Sequence, residues 1–193
     1  MACPKFVKIK NKKYKINTDF RNAIECNRIA EDKTIGDFER ALAIIYTLYG
    51  EDGINDTENY GKLLELAQKY LLCGEDYEKP KEEPDMDYIE DMDYIETSFM
   101  GDYKIDLQKT KMDWWKFNNL INGLSYSEFG NCCVLNRVRN LRNMDLKDIK
   151  DPKEKNKIIE AKKKVALKKN KKENNLSKEQ EQSMANLNKM LGL

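Results

Sequence analysis

Met112-Asp113-Trp114-Trp115-Lys116-Phe117-Asn118-Asn119-Leu120-Ile121-Asn122-Gly123-Leu124 holds both tryptophans of the chain, side by side. Turned at about 100° per residue, the stretch predicts a short amphipathic helix with Trp114, Phe117, Leu120, Ile121 and Leu124 on one apolar stripe. Trp115 falls a quarter-turn or more off that stripe, among Asn118, Asn119 and Asn122. Tryptophan is highly buried on average, which favours packing of both indoles between neighbouring helices. The polar flank instead offers Trp115 to another protein chain. The expectation is a division of labour in which Trp114 holds the fold and Trp115 holds a partner.

The surrounding composition is helical. Of 193 residues, 40% are hydrophobic and 36% charged, with only 9 Gly and 4 Pro. So few turn-makers argue against an all-β sandwich or barrel. Histidine is absent, which removes the commonest general base, every Ser-His or Cys-His nucleophile pair and every imidazole zinc site. Cys3, Cys26, Cys73, Cys132 and Cys133 include no Cys-x-x-Cys pair, and reduced thiols of a cytoplasm are the simplest account. The start, Met-Ala-Cys-Pro-Lys, lacks a signal peptide's apolar run, and no stretch reaches the length of a membrane span. A soluble, intracellular, non-enzymatic protein with no cofactor and no metal is expected.

Outward from the double tryptophan, the pattern predicts a mainly α fold: a multi-helix bundle with a short N-terminal β-hairpin and a Lys-rich C-terminal helical tail. Phe6–Lys10 and Lys13–Ile16 alternate apolar and basic residues around Asn11-Lys12, as hairpin strands do. Helical spacing follows in Phe20, Ala23, Ile24 and Asn27. It recurs in Phe38, Ala41, Leu42, Ile45 and Tyr49 up to Gly50, and in Leu63, Leu64, Ala67, Tyr70 and Leu71 up to Gly74. Residues 1–77 thus read as a hairpin plus helical core, and 78–85 as an acidic, Pro-containing linker. Residues 86–149 read as a helical Trp-Trp subdomain and 150–193 as the Lys-rich tail. Within the third unit, Met-Asp-Tyr-Ile-Glu occurs twice, at 86–90 and 92–96. Tyr88, Met92, Ile95 and Phe99 predict one helix with its acidic residues on the solvated face. Tyr103–Leu107 reads as an extended link. Ser125–Asn143 reads as a helix with Phe129, Cys133, Val134, Val138 and Leu141 inward and Arg137, Arg139 and Arg142 outward. Asp151-Pro152 opens the Lys-rich helix, and Ser177 caps a last one edged by Met184, Leu187, Met190 and Leu191.

Charge is sharply polarised along a chain whose formal net charge is only +1. Acidic residues dominate from Glu75 to Glu96 and lysines from Lys150 to Lys172. Two arrangements remain open: copies pairing head to tail, or a tail folded back on its own acidic region. The acidic run lacks the spacing of a cation-binding loop. The Lys-rich helix would neutralise phosphates, yet no aromatic interleaves it for base stacking, so nucleic acid is a minority reading.

Asp87-Tyr88-Ile89, repeated as Asp93-Tyr94-Ile95 with Phe99 beyond it, then Tyr103-x-Ile105-Asp106-Leu107, then Met-x-Trp-Trp-x-Phe-x2-Leu-x2-Gly-Leu, resembles a known family. The block continues into an Arg-rich helix, Arg-Asn-Met-Asp-Leu and a Lys-rich helix. It is similar to the small tail proteins of Gram-positive phages called the gene-product-fifteen family. The resemblance implies a non-enzymatic tail assembly chaperone of the host cytoplasm. Such a protein binds and coats the tape-measure protein during virion morphogenesis and self-associates into oligomers. On that reading Tyr103, Ile105, Leu107, Trp115 and Phe117 are the protein-binding residues. The alternatives are a nucleic-acid-binding accessory protein using the Lys-rich helix, or a structural component that stays in the tail.

Overall fold

A computed structural model describes residues 2–76, 84–126, 132–147 and 149–168. Strands β1 (Phe6–Ile9) and β2 (Lys12–Lys15) pair antiparallel, with Val7 opposite Tyr14 and Ile9 opposite Lys12. The turn therefore falls on Lys10-Asn11, one residue earlier than the alternation suggested, and Lys10 takes φ 52°. A two-stranded sheet is marginal alone. This one leans on helix through Tyr14, which is fully buried edge-on against Tyr49.

Helices α1 (Phe20–Glu31), α2 (Asp37–Ile54) and α3 (Tyr60–Leu71) pack in sequence, α1 on α2 and α2 on α3. The spacing stopped the second helix at Gly50. The structure instead continues it to Ile54 across a kink, because Gly50 adopts φ 62° and ψ −151°, which a residue with Cβ would resist. α4 (Met92–Tyr103), α5 (Trp114–Asn122), α6 (Val134–Asn143) and α7 (Pro152–Val165) follow. Among the described residues these are seven helices and one two-stranded sheet. A single apolar core runs from Ile9 to Leu135 and takes residues from both strands and from α1 to α6.

The N-termini of α1 and α5 meet. Asp19 caps α1 by accepting from the Arg21 N–H, and Asp113 caps α5 by accepting from the Lys116 N–H at 2.9 Å. Between the caps, Phe20 N–H donates to the Met112 carbonyl at 3.0 Å and Trp114 N–H to the Thr18 carbonyl at 2.9 Å. A two-bond bridge therefore joins residues nearly a hundred positions apart.

Four expectations are corrected. Only the second copy of the duplicated motif is helical. In the first copy the Asp87 carboxylate accepts from Ile89 and Glu90 N–H, a local bond that competes with helix. Tyr103 closes α4 rather than opening an extended link, and Lys104 beyond it is left-handed at φ 58°. The helix expected from Ser125 begins at Val134, where the Cys133 sulfur accepts from Asn136 N–H; residues 127–131, with Phe129, lie outside the described set. Arg139 and Arg142 turn inward, and Asp91 is not solvated.

Asp91 is 1% exposed, and Arg142 holds it with two parallel N–H···O bonds of 2.6 and 2.7 Å. The same guanidinium donates to the Val165 carbonyl at 2.7 Å and the Asp85 carbonyl at 2.8 Å. Arg139 reaches the Asp85 carboxylate at 3.1 Å. Arg142 thus ties α4, α6, the end of α7 and the residues just after the acidic linker; the linker's 78–83 stretch lies outside the described residues. Among those described, acidic and basic regions meet within one chain: Glu90 also accepts from Lys168 N–H at 2.8 Å. α7 packs against α6, while the helix expected from Ser177 lies outside the described residues.

Two predictions follow from these ion pairs. Arg142→Met leaves a buried carboxylate unpaired and costs about 3–5 kcal/mol in urea unfolding, whereas adding Asp91→Leu recovers much of the loss. A single variant within about 0.5 kcal/mol of wild type contradicts the pairing. Near the hairpin, Lys12, Tyr14 and Asn59 donate to Asp56 and hold its pKa down at about 2. A carboxyl with a lowered folded pKa stabilises the fold above its unfolded pKa of about 3.9 and loses that contribution as pH falls. The stability gap between wild type and Asp56→Asn should hold steady above about pH 5 and close from about pH 4 down to 2. A pH-independent gap contradicts it.

Candidate protein-binding surface

The five residues expected to bind a partner sit mostly inside the molecule. Trp115 is 8% exposed, Leu107 2% and Phe117 0%. Phe117 occupies the middle of an aromatic cluster, stacked on Phe20 at 4.3 Å between ring centroids and on Phe99 at 5.4 Å. Tyr103 and Ile105 are half-buried. The Tyr103 hydroxyl donates to the Leu120 carbonyl at 2.9 Å, closing the C-terminal turn of α5. The Leu107 carbonyl accepts from the Arg21 guanidinium.

Trp115 needs a specific correction. Its polar-flank position places it not in solvent but against the C-terminal end of α3. Its Nε1–H donates to the Tyr70 carbonyl at 3.0 Å, and the Trp114 Nε1–H donates to the Leu71 carbonyl at 2.9 Å. The last four carbonyls of a helix have no partner within it. Two adjacent indoles on α5 serve two consecutive carbonyls on α3. The Trp115 ring lies over Gly74, whose φ of 89° is strained for any residue with Cβ and whose would-be Cβ would sit a tight 3.1 Å from the indole. The helix end was legible at Gly74, and the Cys73 and Gly74 N–H groups close it on the Tyr70 and Lys69 carbonyls, leaving the Leu71 carbonyl to Trp114.

An apolar surface does exist, on α2. Phe38 is 64% exposed and Tyr46 54%, with half-buried Leu42 between them and Ile35, 36% exposed, just before the helix. Residues four apart advance by about 40° around a helix. Phe38 projects close to the core-facing line of Ile44, Ile45 and Leu48, and Leu42 and Tyr46 step from it onto the open flank. Helical spacing placed Phe38 in the core; it sits on the first turn of α2, where no described residue covers it. Tyr46 was overlooked because the core stripe already had Ile45 and Tyr49.

The rest of the described surface offers little chemistry. No three His, Cys, Asp or Glu side chains among the described residues are grouped to hold a metal ion. All five cysteines are free, and burial beside Glu25 pushes the Cys26 thiol up to about 12, far from a reactive thiolate. No helix among the described residues is long and apolar enough to cross a membrane.

A family model described as Bacteriophage Gp15 protein matches residues 3–167. That span takes in the hairpin, all seven helices and the Trp-Trp block that carried the resemblance. No curated protein and no solved structure matches the chain. A match over so much of the length places the chain in the bacteriophage Gp15 family of phage structural and morphogenesis proteins.

Proposed function

We propose that this chain is a tail assembly chaperone, acting in the host cytoplasm, whose copies bind along the tape-measure protein and keep its apolar helices soluble. The observation that carries the reading is the open flank of α2. Isolated exposed apolar residues need no explanation, but a line of them on one helix marks an interaction surface. Ile35, Phe38, Leu42 and Tyr46 have the spacing with which one helix meets another lying alongside it. Family membership supplies the phage setting, and the resemblance of the Trp-Trp block supplies the tape-measure partner. The Trp-Trp block then acts behind the surface: it fixes α3, and α3 backs α2.

Phe38→Asp and Tyr46→Asp alter exposed side chains and should shift stability by no more than about 0.5 kcal/mol. Co-expressed with the tape-measure protein of the same phage, the double variant should lose its capture, leaving the partner insoluble. Capture equal to wild type by a folded double variant contradicts the reading.

A further inference from the structure

Helix α7 has an apolar stripe that the described residues only half cover. Ile158, Ile159, Ala161 and Val165 are all part-exposed, and no residue of this 14-residue helix is buried. A helix with so few contacts is marginal in water, since its stability comes from packing of its apolar face. Beside it runs an open groove of about 390 Å³, floored by Leu146, Ile159, Ala166 and Leu167 and rimmed by Lys162 and Lys163. Arg142 and Asp85 also line it, Arg142 held by the Asp91 carboxylate and the Val165 and Asp85 carbonyls and the Asp85 carboxylate by Arg139. The groove is mainly apolar, with one basic edge.

We propose that the groove is filled by the C-terminal segment of the same chain, residues 177–193. Three observations select that occupant. The described chain ends at Lys168, anchored to Glu90 and next to Leu167, a groove-lining residue. The 169–176 stretch spans up to about 26 Å at about 3.3 Å per residue, and α7 is about 21 Å long, so the segment reaches any point of the groove. Second, Met184, Leu187, Met190 and Leu191 form one apolar edge at helical period. Third, on the same helical projection Glu179 and Glu181 flank that edge on either side, while Lys178 and Lys189 lie opposite. Apolar residues would meet the groove floor, and at the rim a glutamate would draw Lys162 from the Met144 carbonyl or share Lys163 with Glu160. The same burial would complete the cover that α7 lacks. Docking of this segment stands or falls independently of any role in tail assembly.

Amide hydrogen exchange on the intact chain tests it, comparing wild type with Leu187→Asp/Met190→Asp and with the conservative Leu187→Met/Met190→Leu. Undocking should speed exchange about tenfold or more in 152–165 and in 142–147 of the Asp variant, with α1–α3 unchanged and the conservative variant protected. Equal protection in all three chains overturns the proposal. So does acceleration spread equally through α1–α3, or wild-type protection that is lost on dilution, which would assign the groove to a second copy.

Discussion

Two indole N–H groups hold this fold at its seam. Trp114 and Trp115, consecutive on α5, donate to the consecutive carbonyls of Leu71 and Tyr70 at the end of α3. The Trp114 bond gives the Leu71 carbonyl its partner, the Trp115 bond adds to the Cys73 N–H already on the Tyr70 carbonyl, and each carries a ring that closes apolar surface around it. Buried polar groups left unpaired cost about 1–3 kcal/mol each, so indole and helix end depend on one another. The backbone bridge between Thr18–Phe20 and Met112–Trp114 fixes the start of α5 against α1. Phe117, one turn along, then falls between Phe20 and Phe99. One short helix thereby locks α1, α3 and α4 together.

The opposite side relies on charge rather than aromatic surface. Arg142 collects Asp91, Val165 and Asp85, joining the start of α4 to the end of α7. Such a buried pair adds little net stability against an apolar substitute but makes wrong arrangements costly, since either partner alone is an uncompensated charge. Among the described residues the acidic block meets Arg139 and Arg142 through its carboxylates and the Lys-rich block through the backbone of Val165 and Lys168. Their polarity along the sequence does not by itself call for pairing between copies.

Much of the architecture was legible. Hydrophobic period placed the hairpin, α1, the start of α2, α3, α5 and the Pro-initiated α7 within a few residues, because each has an amphipathic stripe, and α1, α5 and α7 also have a capping aspartate. Four things were not. The kink at Gly50 reads as a stop, since glycine marks both and only the φ/ψ values distinguish them. Asp91 and Arg142 read as solvated because each lies in a charge-dense run; their burial depends on a partner some fifty residues away, which no local period encodes. The burial of Trp115 was not legible because a helical wheel has only one core direction, whereas α5 lies between two neighbours. The surface with an apolar excess, Phe38 to Tyr46, was hidden by the opposite error, in which helical spacing alone was taken for burial.

The seam itself is open to direct measurement. In a nitrogen-15-labelled sample, proton NMR resolves the two indole Nε1–H signals and follows their exchange with solvent. If both indoles cap α3, both signals exchange slowly, at rates that track global unfolding. A Trp114 signal that is protected beside a Trp115 signal exchanging at the speed of a free indole would contradict this account and return Trp115 to the surface.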